Sequence, residues 1–201
     1  MTNPPKRRLR VASGLTLLLS MALALTACSG DPEEDGTPSQ SPGSSPETPA
    51  VVTEANLGAV AGRLALDQRQ PVVDEVTAVV EGYTDWAFLA GTYPRTAWDF
   101  PVPGFSKRAN RRLRRLDLTL ATNADIGGTI NEVTPISRTV TVDVLAPKGE
   151  VAGATGRFIL EFSTSGDAGP GAVRVTGRLV LIPEVSGWQV VGYYVAKGPA
   201  R

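Results

Sequence analysis

The chain has 201 residues, with 20 basic and 20 acidic side chains, no histidine and one cysteine. Without histidine there is no Ser-His-Asp or Cys-His catalysis, no imidazole acid–base work near neutral pH and no His/Cys zinc site. A single thiol also forbids an internal disulfide, so the folded part must be held by a packed core.

Met1 to Arg10 carries Lys6, Arg7, Arg8 and Arg10 and no acid, and residues 11–27, VASGLTLLLSMALALTA, carry no charge at all. A short basic segment, an apolar stretch and small residues at its end have the build of a secretory signal peptide. Seventeen uncharged residues stand at the lower edge of what spans a bilayer as a retained helix. Either reading keeps the basic end in the cytoplasm and puts the following chain outside. Leu25-Thr26-Ala27-Cys28 resembles a bacterial lipobox. That resemblance implies a diacylglycerol group on the Cys28 thiol, cleavage just before it, and anchoring to the outer face of the cytoplasmic membrane. The chemistry suits a thiol, whose thiolate is a good nucleophile, and two acyl chains anchor stably where one is marginal. The competing readings of Cys28 are a buried structural cysteine and a cysteine in an uncleaved anchor helix.

Residues 28–50 follow as a linker. From Ser29 they read SGDPEEDGTPSQSPGSSPETPA, with no aromatic or bulky aliphatic side chain. Such a segment cannot bury enough apolar surface to fold and is expected to be a disordered spacer, roughly 25 Å across as a flexible coil. Once residues 1–27 are removed, 16 bases face 20 acids. Five of those acids lie in the spacer, so from Val51 onward the balance is 16 to 15. Residues 51–201 make one ordinary domain with enough chain for a core.

Within that domain, Thr53 to Leu66 is rich in Ala and Leu and reads as a first helix, interrupted by Gly58 and Gly62. Gln70-Pro71 looks like the start of a second, with Pro at the first helical position and Asp74 and Glu75 in the first turn. Val72, Val73, Val76, Val79, Val80 and Tyr83 recur at three- and four-residue spacing, the stripe of an amphipathic helix running on through Trp86 to Ala90. Residues 91–104 form a loop holding Tyr93, Trp98 and Phe100. A further helix runs from a Ser106 cap to about Leu116, with Ala109, Leu113 and Leu116 facing the core. The period then changes to two. Strands are expected around Val140–Val144, Phe158–Phe162 and Val173–Leu181, with hairpin breaks at 146–153, 165–171 and 183–187. The last, Trp188 to Val195, is apolar on both sides and reads as an interior strand.

Helices followed by hairpin-linked strands make an α+β domain. This order, with the closing GWQVVGYYV of Gly187 to Val195, resembles the NTF2-like (SnoaL-like) α+β cone superfamily over Pro71 to about Lys197. The resemblance implies N-terminal helices packed on a curved antiparallel sheet of about four to five strands that wraps a pocket. Members of that superfamily include enzymes, binding modules and non-catalytic assembly factors, so membership fixes no activity.

Nucleophile elbows, phosphate-binding loops and S-x-x-K pairs are missing from the sequence. Asp85, Asp99 and Asp143 are the carboxylates placed to line a cone pocket, beside the bland reading of solvated surface charges. Tyr83, Trp86, Trp98, Phe100 and Tyr193 are the aromatic candidates for a pocket, or simply for the core. SKRANRRLRRLDL, residues 106–118, is the most polarised stretch: Lys107, Arg108, Arg111, Arg112, Arg114 and Arg115 place six positive charges in nine positions. Beside an anionic membrane such a segment gains about 1 kcal/mol per basic residue. An anionic wall polymer, another envelope protein, the acidic spacer or plain solvation are the alternatives; nucleic acid is an unsuitable partner outside the cell. Neither a metal nor a cofactor is expected. The sequence points to a lipid-anchored envelope protein with a non-catalytic binding or assembly domain. A small-ligand cone and a carboxylate enzyme are the rival readings.

Overall fold

Residues 51–167 and 169–200 are described by the computed structural model. Cys28, the signal segment 1–27 and the linker 28–50 lie outside the described residues. Five strands pair in the order β1-β2-β3-β4-β5: Thr53–Gly62, Ile130–Ala146, Gly153–Gly166, Gly171–Glu184 and Gly187–Pro199. β2 to β5 form an antiparallel meander, and β1 adds to the β2 edge in parallel, so the α+β domain carries a mixed sheet.

The first element corrects the sequence reading, which took Thr53–Leu66 for a helix. Local propensity favoured that helix, but pairing with a distant partner decides a strand. The two glycines that look like helix breakers serve the pairing. A Cβ at Gly58 would lie 2.2 Å from Asp143 Oδ1, which accepts the Ala59 N–H at 2.9 Å. Gly62 takes φ +109°, and a Cβ there would meet the Ala146 carbonyl oxygen at 2.0 Å.

Helix α1 spans Leu66–Thr84 and continues as a wider π-turn, Asp85–Leu89, closed by Ala90 N–H donating to Asp85 O at 2.7 Å. It begins five residues before the expected start at Pro71. Residues 66–71 are exposed, so the carbonyl that Pro71 leaves without a donor is open to water. Val72, Val73, Val76, Val80 and Tyr83 pack inward as the periodicity requires.

The second helical segment is α2, Lys107–Arg112, then a π-turn, Leu113–Asp117, then α3, Leu118–Ala121. Ser106 caps it, its hydroxyl accepting the Ala109 N–H at 3.2 Å. Here a second correction arises. Ala109 and Leu113 are buried, but Leu116 is 74% exposed. A π-turn inserts one residue into the helical period, so the inward positions become 109, 113, 117 and 121 instead of 109, 113, 116 and 120. Ala121 is buried accordingly, and Leu120 is 63% exposed.

The helices lie on one face of the sheet. Val140, Val142, Phe158, Leu160, Phe162, Val175, Leu179 and Val190 meet Tyr83, Phe88, Phe105 and Leu113 in one core. The space between helices and sheet is filled by rings: Tyr83 packs on Phe88, Phe105 and Phe158 at centroid distances of 6.2, 5.2 and 6.1 Å.

β5 gives the third correction, for it is the terminal strand in the sheet order and not an interior one. Its register slips between Val180 and Leu181: Leu181 pairs with Val190 and Val180 with Gly192, leaving Val191 as a bulge. The extra residue exchanges the two faces. Trp188 and Val190 before it, and Tyr193 and Val195 after it, therefore all pack toward the core. One bulged face had looked like two apolar faces.

Candidate functional site

The six cations expected to form a basic patch all lie exposed on the α2 segment. Arg112 is engaged: its Nε lies 2.7 Å from Asp117 Oδ2, and its guanidinium stands 5.5 Å from the Tyr193 ring centre. Among the described residues, Lys107, Arg108, Arg111, Arg114 and Arg115 take part in no ion pair. Leu116 and Leu120 follow them on the same segment, turned to solvent by the π-turn.

The aromatic candidates do not converge on one cavity. Tyr83 is wholly buried and donates its hydroxyl to Ala121 O at 2.6 Å; burial raises its pKa well above the ordinary tyrosine value. Tyr193 donates to Asp117 Oδ2 at 2.7 Å, and burial, then that carboxylate, push its pKa up as well. Phe105 stands between the two, 5.2 Å from Tyr83 and 5.8 Å from Tyr193. Trp86 and Phe100 form a separate edge-to-face pair at 5.4 Å, with the Trp86 indole N–H donating to Asp99 O at 2.9 Å. Trp98 stands apart, 4.5 Å beneath the Arg95 guanidinium.

The carboxylate candidates also occupy three different surroundings. Asp99 is exposed in the loop. Asp143 lies on the outer sheet face, bound to Arg157 at 2.7 and 3.1 Å. Asp85 accepts from Arg138 Nη1 at 2.7 Å. Arg138 was not singled out from sequence, yet it is the one buried charged side chain among the described residues, at 4% exposure. It ties three elements together: Thr53 Oγ1 of β1 at 2.8 Å, Thr84 Oγ1 of α1 at 2.8 Å, and Asp85 in the π-turn.

An open groove of about 570 Å³ runs beside the basic helix, lined by Phe100, Pro101, Phe105, Lys107, Asn110, Arg111, Arg114 and Gln189. Asn110 builds its wall. Its Oδ1 accepts the Val102 N–H at 2.7 Å and its Nδ2 donates to Phe105 O at 3.0 Å, pinning the 100–105 loop against α2. Nothing in the sequence marks Asn110 or Gln189, because the groove joins elements far apart in the chain.

No cluster of potential metal ligands occurs among the described residues, and none of their helices is long and apolar enough to cross a membrane. No family model, curated protein or solved structure matches this chain.

Proposed function

We propose that this chain is an exported protein anchored by lipid at Cys28, whose α+β domain is a non-catalytic binding module docked on the anionic membrane surface through α2 and α3. The observation that carries the reading is the pairing of cations with exposed leucines on one segment. Five basic side chains without an acid partner among the described residues precede Leu116 and Leu120 on this segment, and the two leucines are 74% and 63% exposed. Solvated cations alone need no partner, and exposed leucines alone are unremarkable. Together they are the composition of a segment that lies in the headgroup region, cations on phosphates and leucines toward the acyl boundary. About 1 kcal/mol per basic residue near an anionic surface makes several of them sufficient for stable orientation.

Helices ahead of a hairpin-linked meander support a NTF2-like relationship over α1 to β5; the parallel strand β1 goes beyond what that likeness predicts. The ring-filled space between helices and sheet favours a surface module over a small-ligand cone. The scattering of Asp85, Asp99 and Asp143 favours binding over carboxylate chemistry.

Two measurements test the reading. Mass spectrometry of the native product is expected to find a mature chain beginning at Cys28 with acyl mass on it; a chain starting elsewhere, or without that mass, refutes the anchor. For docking, the full-length protein is placed in nanodiscs with or without anionic lipid and footprinted with hydroxyl radicals. Leu116 and Leu120 are expected to lose oxidation only in anionic discs, and to regain it when the six basic residues are replaced by Gln. Equal oxidation in both discs refutes docking.

A further inference from the structure

We infer that the groove between the 100–105 loop, α2 and β5 holds one anionic phospholipid molecule, its phosphate on Lys107, Arg111 and Arg114 and its apolar part against Phe100, Pro101 and Phe105. The inference rests on the docking reading, which brings the groove to the lipid, and names the ligand class of that site.

Lys107, Arg111 and Arg114 stand at i, i+4 and i+7, so one side of the helix presents three cations over about 10 Å. Each lines the groove, and none is in an ion pair among the described residues. Like charges at such spacing repel, and an anion between them relieves that repulsion. Guanidinium forks match phosphate oxygens bidentately, and the lysine adds a point charge. The opposite wall is apolar and held in place: Trp86 packs edge-on against Phe100, Phe105 lies between Tyr83 and Tyr193, and Asn110 pins the loop.

That combination selects the occupant. A wall polymer that is only charged would gain nothing from the phenylalanine wall, and an uncharged apolar ligand would gain nothing from three cations. An anionic amphiphile uses both. The groove, at about 570 Å³, falls within the usual size of ligand sites, roughly 300–1,000 Å³. Gln189 at its edge supplies an amide for the polar glycerol region.

The test is native mass spectrometry of the full-length protein in non-ionic detergent, titrated with dioleoyl phosphatidylglycerol or dioleoyl phosphatidylcholine. A saturating one-lipid adduct is expected with the anionic lipid only. Replacing the groove pair, R111Q/R114Q, is expected to weaken it about thirtyfold, while R108Q/R115Q, removing equal charge outside the groove, changes it less than about threefold. Equal loss in both variants, equal adducts with phosphatidylcholine, or adducts that accumulate without saturating at one lipid would overturn the site. Displacement of the lipid by an equal concentration of glycerol 1-phosphate would overturn the amphiphilic occupant in favour of a free anion. Footprinting of Leu116 and Leu120 reads docking separately. Their protection in anionic discs without a one-lipid adduct overturns the groove alone; no protection overturns the docking reading on which it rests.

Discussion

Gly177 of β4 faces Phe158 of β3, and a Cβ there would stand 2.4 Å from the ring and 2.9 Å from the Tyr194 carbonyl oxygen. The ring lies where a side chain would be. Gly177→Ala is therefore expected to destabilise the fold by about 1–3 kcal/mol through overpacking. Gly198→Ala, with nothing within 4 Å, should stay within about 0.5 kcal/mol. Urea unfolding of both variants checks this; matching losses would mean that Phe158 yields freely. On the outer sheet face, hydrogen bonding from Arg157 holds the Asp143 carboxyl below its usual value, assisted by the Ala59 N–H. Between the lowered native pKa and the unfolded value the native state binds fewer protons. The stability this carboxylate contributes is thus complete above about pH 4 and is lost as pH falls through the lowered native value. Arg157→Gln is expected to move the Asp143 titration up, followed by side-chain NMR; an unmoved midpoint would refute the pairing. Glu161 and Arg174 pair across neighbouring strands on the same face.

Among the elements, β1 is held to the rest by more than its ladder. Arg138 pairs in register with Thr53 and reaches from β2 to Thr84 and Asp85 at the end of α1. Removing the cation would leave the buried Thr84 hydroxyl and two partly exposed carboxylates, Glu81 and Asp85, without their shared donor. Arg138→Gln is expected to destabilise by about 1–3 kcal/mol, because it removes the buried donor of Thr84 and of two partly exposed carboxylates. Denaturation followed by intrinsic fluorescence measures it; a loss under about 1 kcal/mol would show that water replaces the guanidinium. The helical stripe of α1 and the alternation in β2, β3 and β4 were legible in the sequence, since each depends on neighbours within a few positions. The π-turn and the Val191 bulge were not. Each adds one residue to a period, and the sequences LRRLDL and QVVGY carry no residue type that announces it. A reader extending the period past such a point places every later side chain on the wrong face, as happened to Leu116.

At the scale of the whole molecule, the proposed docking rests on how charge is distributed over the described residues. The domain is near neutral from Val51 onward, yet five cations without an acid partner among the described residues gather on α2 and its π-turn. Docking through exposed cations should weaken with salt, because the Debye length falls from about 8 Å at 0.15 M to about 3 Å at 1 M. Protection of Leu116 and Leu120 is expected to fade over that range while the protein stays attached through the acyl chains proposed at Cys28, whose burial would not be electrostatic. Flotation of the vesicles alongside footprinting would check both; salt-insensitive protection would contradict the electrostatic part. By itself the sequence determined the α+β class, the hairpin positions, the capping of α2 and the chemistry excluded by the lack of histidine, all of which follow from composition or local period. Only the tertiary structure decided that Thr53–Gly62 is a strand, that Leu116 points outward, that β5 is an edge and that Phe100, Arg114 and Gln189 share a groove. Those outcomes depend on pairing across long sequence separations and on single-residue insertions, and neither leaves a local trace.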